Sequence, residues 1–305
     1  MHLTMIFVDG LGLGTNLNNP LVLADTPHID RILGGHSLWG DQEIQHNHCR
    51  LYSLDASLGV PGIPQSATGQ TTLWTGVNAA KALGKHLNAY PNEKLKEIIK
   101  EYSIFKQLAD LGKRVTFANA FTKGYEQMIE AGTKKHTAST LCAHAGGVKL
   151  KRREDLLEGK AVYQDITNKI FRERGEEASL IEPSQAGRNL ARISMEHEFV
   201  LFEYFQTDVR GHKRNLQEAK AVVEILDQFL GGYLFEAELE SPDKRQMAMM
   251  LTSDHGNIED LSTSTHTLNK VPALCWSNFG MEWPVLKSIE EITPFIVNLL
   301  SQYSG

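Results

Sequence analysis

Leu251-Thr252-Ser253-Asp254-His255-Gly256-Asn257, running on as I-E-D-L-S-T-S-T-H to Thr267, is the stretch whose reading decides the fold. The residues before it, Met247 to Leu251, are apolar and bounded by charge. Such a run reads as a buried strand, and the abrupt change to Asp-His-Gly-Asn ends it in a turn. His266 follows His255 by eleven residues, in a loop rich in Ser and Thr. A buried strand that stops at Asp-His has the form of a metal site on the carboxyl edge of a parallel sheet. The bland alternative is a polar surface loop, and the rest of the chain decides between them.

With 305 residues, the chain is long enough for one sizeable core, or for a core with a smaller appendage. Hydrophobic residues make up 41% and charged residues 22%, an ordinary globular balance. A formal net charge of -6 argues against broad nucleic-acid binding but leaves room for a local basic pocket. Cys49, Cys142 and Cys275 are far apart and odd in number, so neither a disulfide framework nor a Cys-x-x-Cys site follows. The first apolar run reaches Asp9 too soon for a signal peptide or a membrane span. A cytoplasmic protein with no membrane partner is the expectation; the sequence does not speak to oligomeric state.

Outward from the quoted stretch, the same pattern recurs. Leu3 to Val8 reads as a first buried strand ending at Asp9-Gly10. The glycines after it run G-L-G-L-G, lack the G-x-G-x-x-G order and open no helix, so a nucleotide fingerprint is not supported. Thr26 to Leu33 reads as a short helix with Pro27 in its first turn and Gly34-Gly35 as its stop. Cys49 to Leu54 suits a strand or an extended segment, followed by a breaker-rich loop up to Ser66. Helical spacing begins by Thr68 and runs to Trp74, which puts Ser66 near a helix mouth. There it is either an N-cap or a group beside an anion site.

Apolar positions from Leu95 to Leu111 predict one long helix over 93–111, closed by Gly112. A strand follows over 113–120, completing the return half of a βαβ unit. The character changes near Tyr125. Residues 125–188 read as polar helices and loops without a core strand, a small inserted cap or an elaborated loop over the site, and the basic run Lys149 to Arg153 reads as a solvated face. Residues 184–196 suit a helix, and Phe199 to Phe205 a buried strand leading to Asp208, with His212 four residues on. A helix from Leu216 to Leu230, a strand at Val271 to Trp276 and a closing helix over 291–299 complete the chain. Strands and helices alternate, so a mostly parallel sheet with helices on both faces is the inferred α/β architecture.

Asp9, Ser66, Asp208, His212, Asp254, His255 and His266 thus stand at strand ends or in the segments after them. Three carboxylates and three imidazoles form a mixed nitrogen and oxygen set suited to Zn²⁺ or Mn²⁺ and less to Ca²⁺. Six such ligands are too many for one ordinary site and about right for two. Paired ions are a device for phosphoryl displacement, and a serine beside one of them would serve as nucleophile.

On these residues the chain resembles the alkaline phosphatase superfamily, most closely the branch containing cofactor-independent phosphoglycerate mutase and phosphopentomutase. The motifs are Asp9-Gly10, Ser66 ahead of Thr75-Gly76, Asp208-x-x-x-His212, Asp254-His255-Gly256-Asn257, His266-Thr267 and Val271-Pro272. The resemblance spans roughly 1–120 and 190–300. It implies a three-layer alkaline phosphatase-like core, 1–124 with 189–305, around the 125–188 cap. It implies one ion on Asp208, His212 and His266, and the other on Asp9, Ser66, Asp254 and His255. Ser66 would take up the phosphoryl group, with Thr68 as the alternative nucleophile.

Two departures stand out. The mutases carry a sequence like Asn-Ser-Glu-Val-Gly-His at the nucleophile, whereas this chain reads Gln65-Ser66-Ala67-Thr68-Gly69-Gln70. The insertion is also too short for the mutase substrate domain. Arg210, Lys85 with His86, and Arg188 are the candidate phosphate contacts. The expected activity is metal-dependent hydrolysis of a small phosphate ester through a phosphoserine. A phosphomutase and a metal-binding scaffold without turnover are the alternatives, and sulfate esters and phosphodiesters are chemically adjacent substrates.

Overall fold

A computed structural model of the chain describes residues 1–240 and 244–303. Seven strands form one sheet: β1 (His2–Val8), β2 (Ile44–His46), β3 (Cys49–Leu54), β4 (Val115–Phe117), β5 (Phe199–Tyr204), β6 (Met247–Thr252) and β7 (Val271–Ser277). Their spatial order is β2-β3-β7-β6-β1-β5-β4. The pairs β6–β1, β1–β5 and β5–β4 are parallel, while β7 runs antiparallel to both β6 and β3. Five of the seven strands therefore point one way. β2, which carries no apolar run, pairs antiparallel with β3 at the edge and was not anticipated.

Period-two alternation divides the core into two faces. Ile6, Val8, Phe202, Met249 and Leu251 point to one side, where the helices Pro183–Met195 and Leu216–Leu239 cover the sheet. Leu3, Met5, Phe7, Leu201, Ala248 and Met250 point to the other, under the helices Ser66–Thr75, Ile104–Asp110, Ala138–Ala145 and Ile292–Gln302. Helix, sheet and helix make the three layers. Strands buried on both faces are mostly apolar, which is why β1, β5 and β6 read as apolar runs broken only by single polar residues such as Thr4 and Glu203.

The helix Ser66–Thr75 is buried from Ala67 onward although six of its ten residues are polar. Its threonines resolve the conflict by bonding within the helix. Thr71, Thr72 and Thr75 donate their hydroxyls to the carbonyls of Ala67 (2.6 Å), Thr68 (2.8 Å) and Thr71 (2.6 Å). Trp74 anchors the far end edge-on against Phe7 of β1, with 5.2 Å between ring centroids.

Three expectations need correction. The single helix over 93–111 is two helices, Glu93–Tyr102 and Ile104–Asp110. Ser103 at φ -48°, ψ 130° closes the first and caps the second, accepting from the Lys106 N–H at 3.4 Å. The apolar spacing continues across the bend, so periodicity alone misses it. The helix from Leu216 extends to Leu239, beyond the expected Leu230. The limits 125 and 188 fall inside the helices Lys123–Glu130 and Pro183–Met195. Within that range the helix Ala138–Ala145 packs Ala138, Cys142 and Ala143 into the main core. Residues 146–182 retain the expected mixture of short helices and loops, with the small cluster of Tyr163, Phe171, Ala120 and Ala161 as their own apolar centre.

Candidate metal and phosphoryl-transfer site

The carboxyl ends of β1, β5 and β6 meet at one edge of the sheet, and the chain leaves each strand through a polar turn. Asp9 follows β1, and its backbone N–H donates to the Tyr204 carbonyl at 3.0 Å. Gly10 turns the chain at φ +68°, and a Cβ there would stand 2.8 Å from Asp208 Oδ1, so glycine is required. After β5, the helix Gln206–Lys213 carries Asp208 and His212 on one face, and His212 Nε2 lies 3.4 Å from Asp208 Oδ2. Thr207 ties that helix to the first strand by donating its hydroxyl to the Asp9 carbonyl at 2.5 Å. After β6 come Asp254 and His255, both fully buried.

His255 is central. Its Nε2 is 3.1 Å from Ser66 Oγ, 3.5 Å from Asp9 Oδ1 and 3.5 Å from Asp254 Oδ2. Its ring stacks on His266 at 3.6 Å between centroids. His266 Nε2 is in turn 3.6 Å from Asp208 Oδ1. The ligating atoms of Asp9, Asp254 and His255 lie within 4.8 Å of one another, as do those of Asp208, His255 and His266. His212, the most exposed of the group, adjoins the second set through Asp208 and through its ring, 5.2 Å from that of His266. All seven residues expected at the site are thus gathered, with His255 standing between the two sets.

Outer contacts orient the rings. His266 Nδ1 is 3.0 Å from the Pro64 carbonyl and His212 Nδ1 is 3.0 Å from the Ser264 carbonyl. In each case Nδ1–H is the donor, which leaves Nε2 as a free lone pair facing the carboxylates. Asn257 donates its amide to Asp208 Oδ1 at 2.7 Å, fixing that carboxylate.

Ser66 is the first residue of its helix and not its cap. Gln65 holds the cap position, and the Ser66 hydroxyl remains free to face His255. Thr68 differs: it is fully buried, donates to the Gln65 carbonyl at 3.0 Å and accepts from the Leu87 N–H at 3.2 Å. Its hydroxyl is engaged in holding the loop before Asn88. Gly69 lets the helix approach the metal-side turn, since a Cβ there would sit 2.8 Å from the Asp254 carbonyl oxygen.

The electrostatics ask for cations. Burial, followed by the fields of Asp254 and Asp208, pushes Asp9 well above the carboxylate range. Burial and then Asp208 push Asp254 upward as well. Burial, with His266 and His212 adding to it, holds His255 well below the usual imidazole value. Asp9 Oδ1 and both Asp254 oxygens complete no hydrogen bond of good geometry, although the Gln70 amide and the Gly10 N–H lie near Asp254. Crowded, orphaned carboxylates beside neutral imidazoles with free Nε2 atoms fit a pair of divalent cations.

A cavity of ≈ 440 Å³ opens from Asp9, Ser66 and Asp208 toward the segment between Asn88 and Arg174. None of the candidate phosphate contacts, Arg210, Lys85, His86 and Arg188, lines it. Arg210 pairs with Glu218 at 3.3 Å, and Arg188 stacks over Phe235 at 4.6 Å on the far helix layer. Lys85 is exposed outside the lining. The cavity instead receives Lys134 and Arg174, with Tyr125 and Tyr163, from the range read as an insertion over the site, and Tyr90 from the loop before the helix Glu93–Tyr102. Gln70, standing where the mutases carry histidine, also lines it.

Glu259 was missed as well. Fully buried, it accepts from the Gly12 N–H (3.0 Å), the Asn257 N–H (2.8 Å), the Asn269 amide (3.0 Å) and the Thr267 hydroxyl. It therefore binds the turn after β1 to both ends of the His255–His266 loop. Nothing in its local sequence separates it from a solvated loop glutamate.

The family model described as the Metalloenzyme superfamily matches residues 1–301. Among curated relatives, the 2,3-bisphosphoglycerate-independent phosphoglycerate mutase of Helicobacter hepaticus is 29% identical over 119 residues, 36% of this chain and 22% of that protein. The chain thus spans only about a fifth of that relative's length. Among solved structures, the PH0037 protein from Pyrococcus horikoshii superposes with a TM-score of 0.59 at 16% identity, over 100% of this chain and 98% of that one. The alkaline phosphatase from the Antarctic bacterium TAB5 gives 0.59 at 13% identity, over 100% and 98%. At such identities the structural likeness speaks for the fold alone, an alkaline phosphatase-like mixed α/β core.

Proposed function

The chain belongs to the Metalloenzyme superfamily, and we propose that within it this protein is a two-metal phosphoryl-transfer enzyme, a phosphomonoesterase acting on a small phosphate ester through phosphoserine 66. The observation that carries the reading is the free Ser66 hydroxyl, 3.1 Å from His255 Nε2, at the mouth of a cavity bordered by two cation-ready donor sets. Asp9, Asp254 and His255 would hold one ion and Asp208, His266 and His212 the other, with Ser66 beside the first. When bound, such ions would neutralise the phosphoryl oxygens and favour the ionised serine; Mn²⁺ and Zn²⁺ suit the donor set.

The residues of the chain then account for the reaction. Ser66 Oγ attacks phosphorus, a Ser–O–P bond forms and the bond to the leaving oxygen breaks, and the alcohol departs after gaining a proton. The helix that Ser66 opens holds its Oγ at the cavity, beside His255. Water then attacks the phosphoserine, the Ser–O–P bond breaks, inorganic phosphate leaves and Ser66 regains its proton. A mutase would return the phosphoryl group to the same alcohol at another oxygen. The walled cavity, able to retain an organic product, is the observation that favours that second reading.

Purified protein loaded with Mn²⁺ or Zn²⁺ is expected to release 4-nitrophenol from 4-nitrophenyl phosphate. An acid quench should trap one phosphoryl group on Ser66. Bound metal without turnover on a broad phosphate-ester panel would leave a metal-binding scaffold. Product analysis separates the remaining pair, since a phosphatase liberates inorganic phosphate and a mutase liberates an isomeric ester.

A further inference from the structure

The cavity has two chemically different ends. One is the cluster of Asp9, Asp208 and Ser66; the other is formed by Lys134 and Arg174. These two cations come from separate segments, yet each lies in the other's field, and no acidic side chain pairs with either among the described residues. Arg174 donates from Nη1 to the Tyr163 hydroxyl at 2.8 Å, which aims its planar group along the cavity wall. Lys134 Nζ has an aromatic neighbour, 5.0 Å from the Tyr125 ring centroid, and no hydrogen-bonding partner among the described residues. Burial, and then Arg174, lower its pKa. Every other arginine considered for a substrate role is either stacked or paired. Arg188 lies on Phe235, and Arg210 is held by Glu218.

Two like charges converging without a counterion form a receptor for an anion. The phosphoryl group itself belongs at the Ser66 end, so the anion received here is a different one. We propose that Lys134 and Arg174 bind a second anionic group, a carboxylate or a second phosphate, on the organic part of the substrate. Aromatic side chains of Tyr125 and Tyr163 flank the space between. This inference rests on the phosphoryl-transfer reading and narrows it to phosphate esters with an anionic tail. Lys134 and Arg174 are specificity residues, remote from the reacting bond.

Equilibrium binding to the Mn²⁺-loaded protein tests it without turnover. Three probe series of graded chain length are compared: alkylphosphonates, ω-carboxyalkylphosphonates and α,ω-alkane bisphosphonates. A charge-assisted bidentate contact corresponds to roughly a tenfold to hundredfold gain. At least one tailed series is expected to bind tenfold or more tighter than the plain alkylphosphonate, on the order of one such contact. Which series wins distinguishes carboxylate from phosphate. Lys134→Met with Arg174→Met should erase the advantage and leave alkylphosphonate binding unchanged. Should loss of the Arg174–Tyr163 bond disturb the wall, Lys134→Met alone removes no hydrogen bond and should still cut the advantage. Equal binding of tailed and plain probes at every length, or an advantage that survives the double variant, would overturn the tail site while leaving the phosphoryl reading intact. Failure of all three series to bind would overturn the phosphoryl reading and this one with it.

Discussion

The two edges of the central sheet handle negative charge in opposite ways, and β5 displays both. At its amino end, Glu198 accepts from the Arg114 backbone N–H at 2.7 Å and from Arg114 Nη2 at 2.6 Å. Partial burial would raise its pKa, but the Arg114 hydrogen bonds outweigh that and hold the carboxyl near about 2. Toward the carboxyl end, Glu203 is fully buried beside Asp254 and has only the Ser139 hydroxyl as donor, at 2.9 Å. Burial pushes it up to about 8. The chain neutralises one edge with its own guanidinium and leaves the other short of positive charge. The lesson is that the carboxyl edge is completed from solution. On the proposed reading, bound divalent ions would supply the positive charge that its acids lack among the described residues.

The largest effect that would break or sharpen this contrast is at the nucleophile. Ser66→Ala is expected to lower kcat for 4-nitrophenyl phosphate by at least about 10³-fold while metal content and fold stay unchanged. Retention of full turnover would remove Ser66 from the chemistry. Next is the metal-side carboxylate. Adding Mn²⁺ or Zn²⁺ at about a hundred times its Kd should stabilise the chelated protein by roughly 3 kcal/mol. That is a rise of several degrees in Tm for a chain of this size, and Asp254→Asn should lose most of it. An equal metal-induced shift in the variant would sever Asp254 from the ion site.

Smaller effects concern pH, and the two glutamates of β5 should differ in sign. Glu203 has a raised pKa when folded, so its stabilising contribution is complete below its ordinary value and is lost as pH rises through about 8. Chelated protein should therefore weaken from mildly acidic toward pH 8, and Glu203→Gln should flatten that slope by about 1–3 kcal/mol. Glu198 has a lowered pKa, so its contribution is present above the ordinary value and is lost as pH falls through about 2. Because Arg114 is largely exposed, Glu198→Gln should cost no more than about 1 kcal/mol at neutral pH. Denaturant midpoints across pH measure both, and parallel slopes would erase the distinction between the edges.

The metal-side edge was legible because its ingredients are local. Strands buried on both faces are mostly apolar, so Asp9 and Asp254 appear as sudden charges after the apolar runs of β1 and β6. His266 was marked by its place in the loop after β6. The opposite wall of the cavity was not legible, for a different reason. Lys134 sits in T-K-K-H and Arg174 in R-E-R-G, local contexts that suit a solvated surface equally well. Only the approach of two separate segments makes them neighbours. The helix Ser66–Thr75 hid its burial in threonine hydroxyls that bond backward, and Ser103 hid a bend inside an unbroken apolar rhythm. Glu259 is the extreme case, since it joins its own loop, through Asn257, Thr267 and Asn269, to Gly12 at the other end of the chain.

The reversed direction of β7 has a consequence of its own. A parallel successor to β6 would oblige the chain to travel back to the opposite rim before re-entering the sheet. Because β7 enters from the rim at which β6 leaves, residues 253–270 both depart and return there. The excursion works as a broad hairpin loop moored at both ends, and it delivers three imidazole-and-carboxylate donors, Asp254, His255 and His266, within a single short arc. Lengthening that arc by insertion should therefore disturb ion binding well before it disturbs folding.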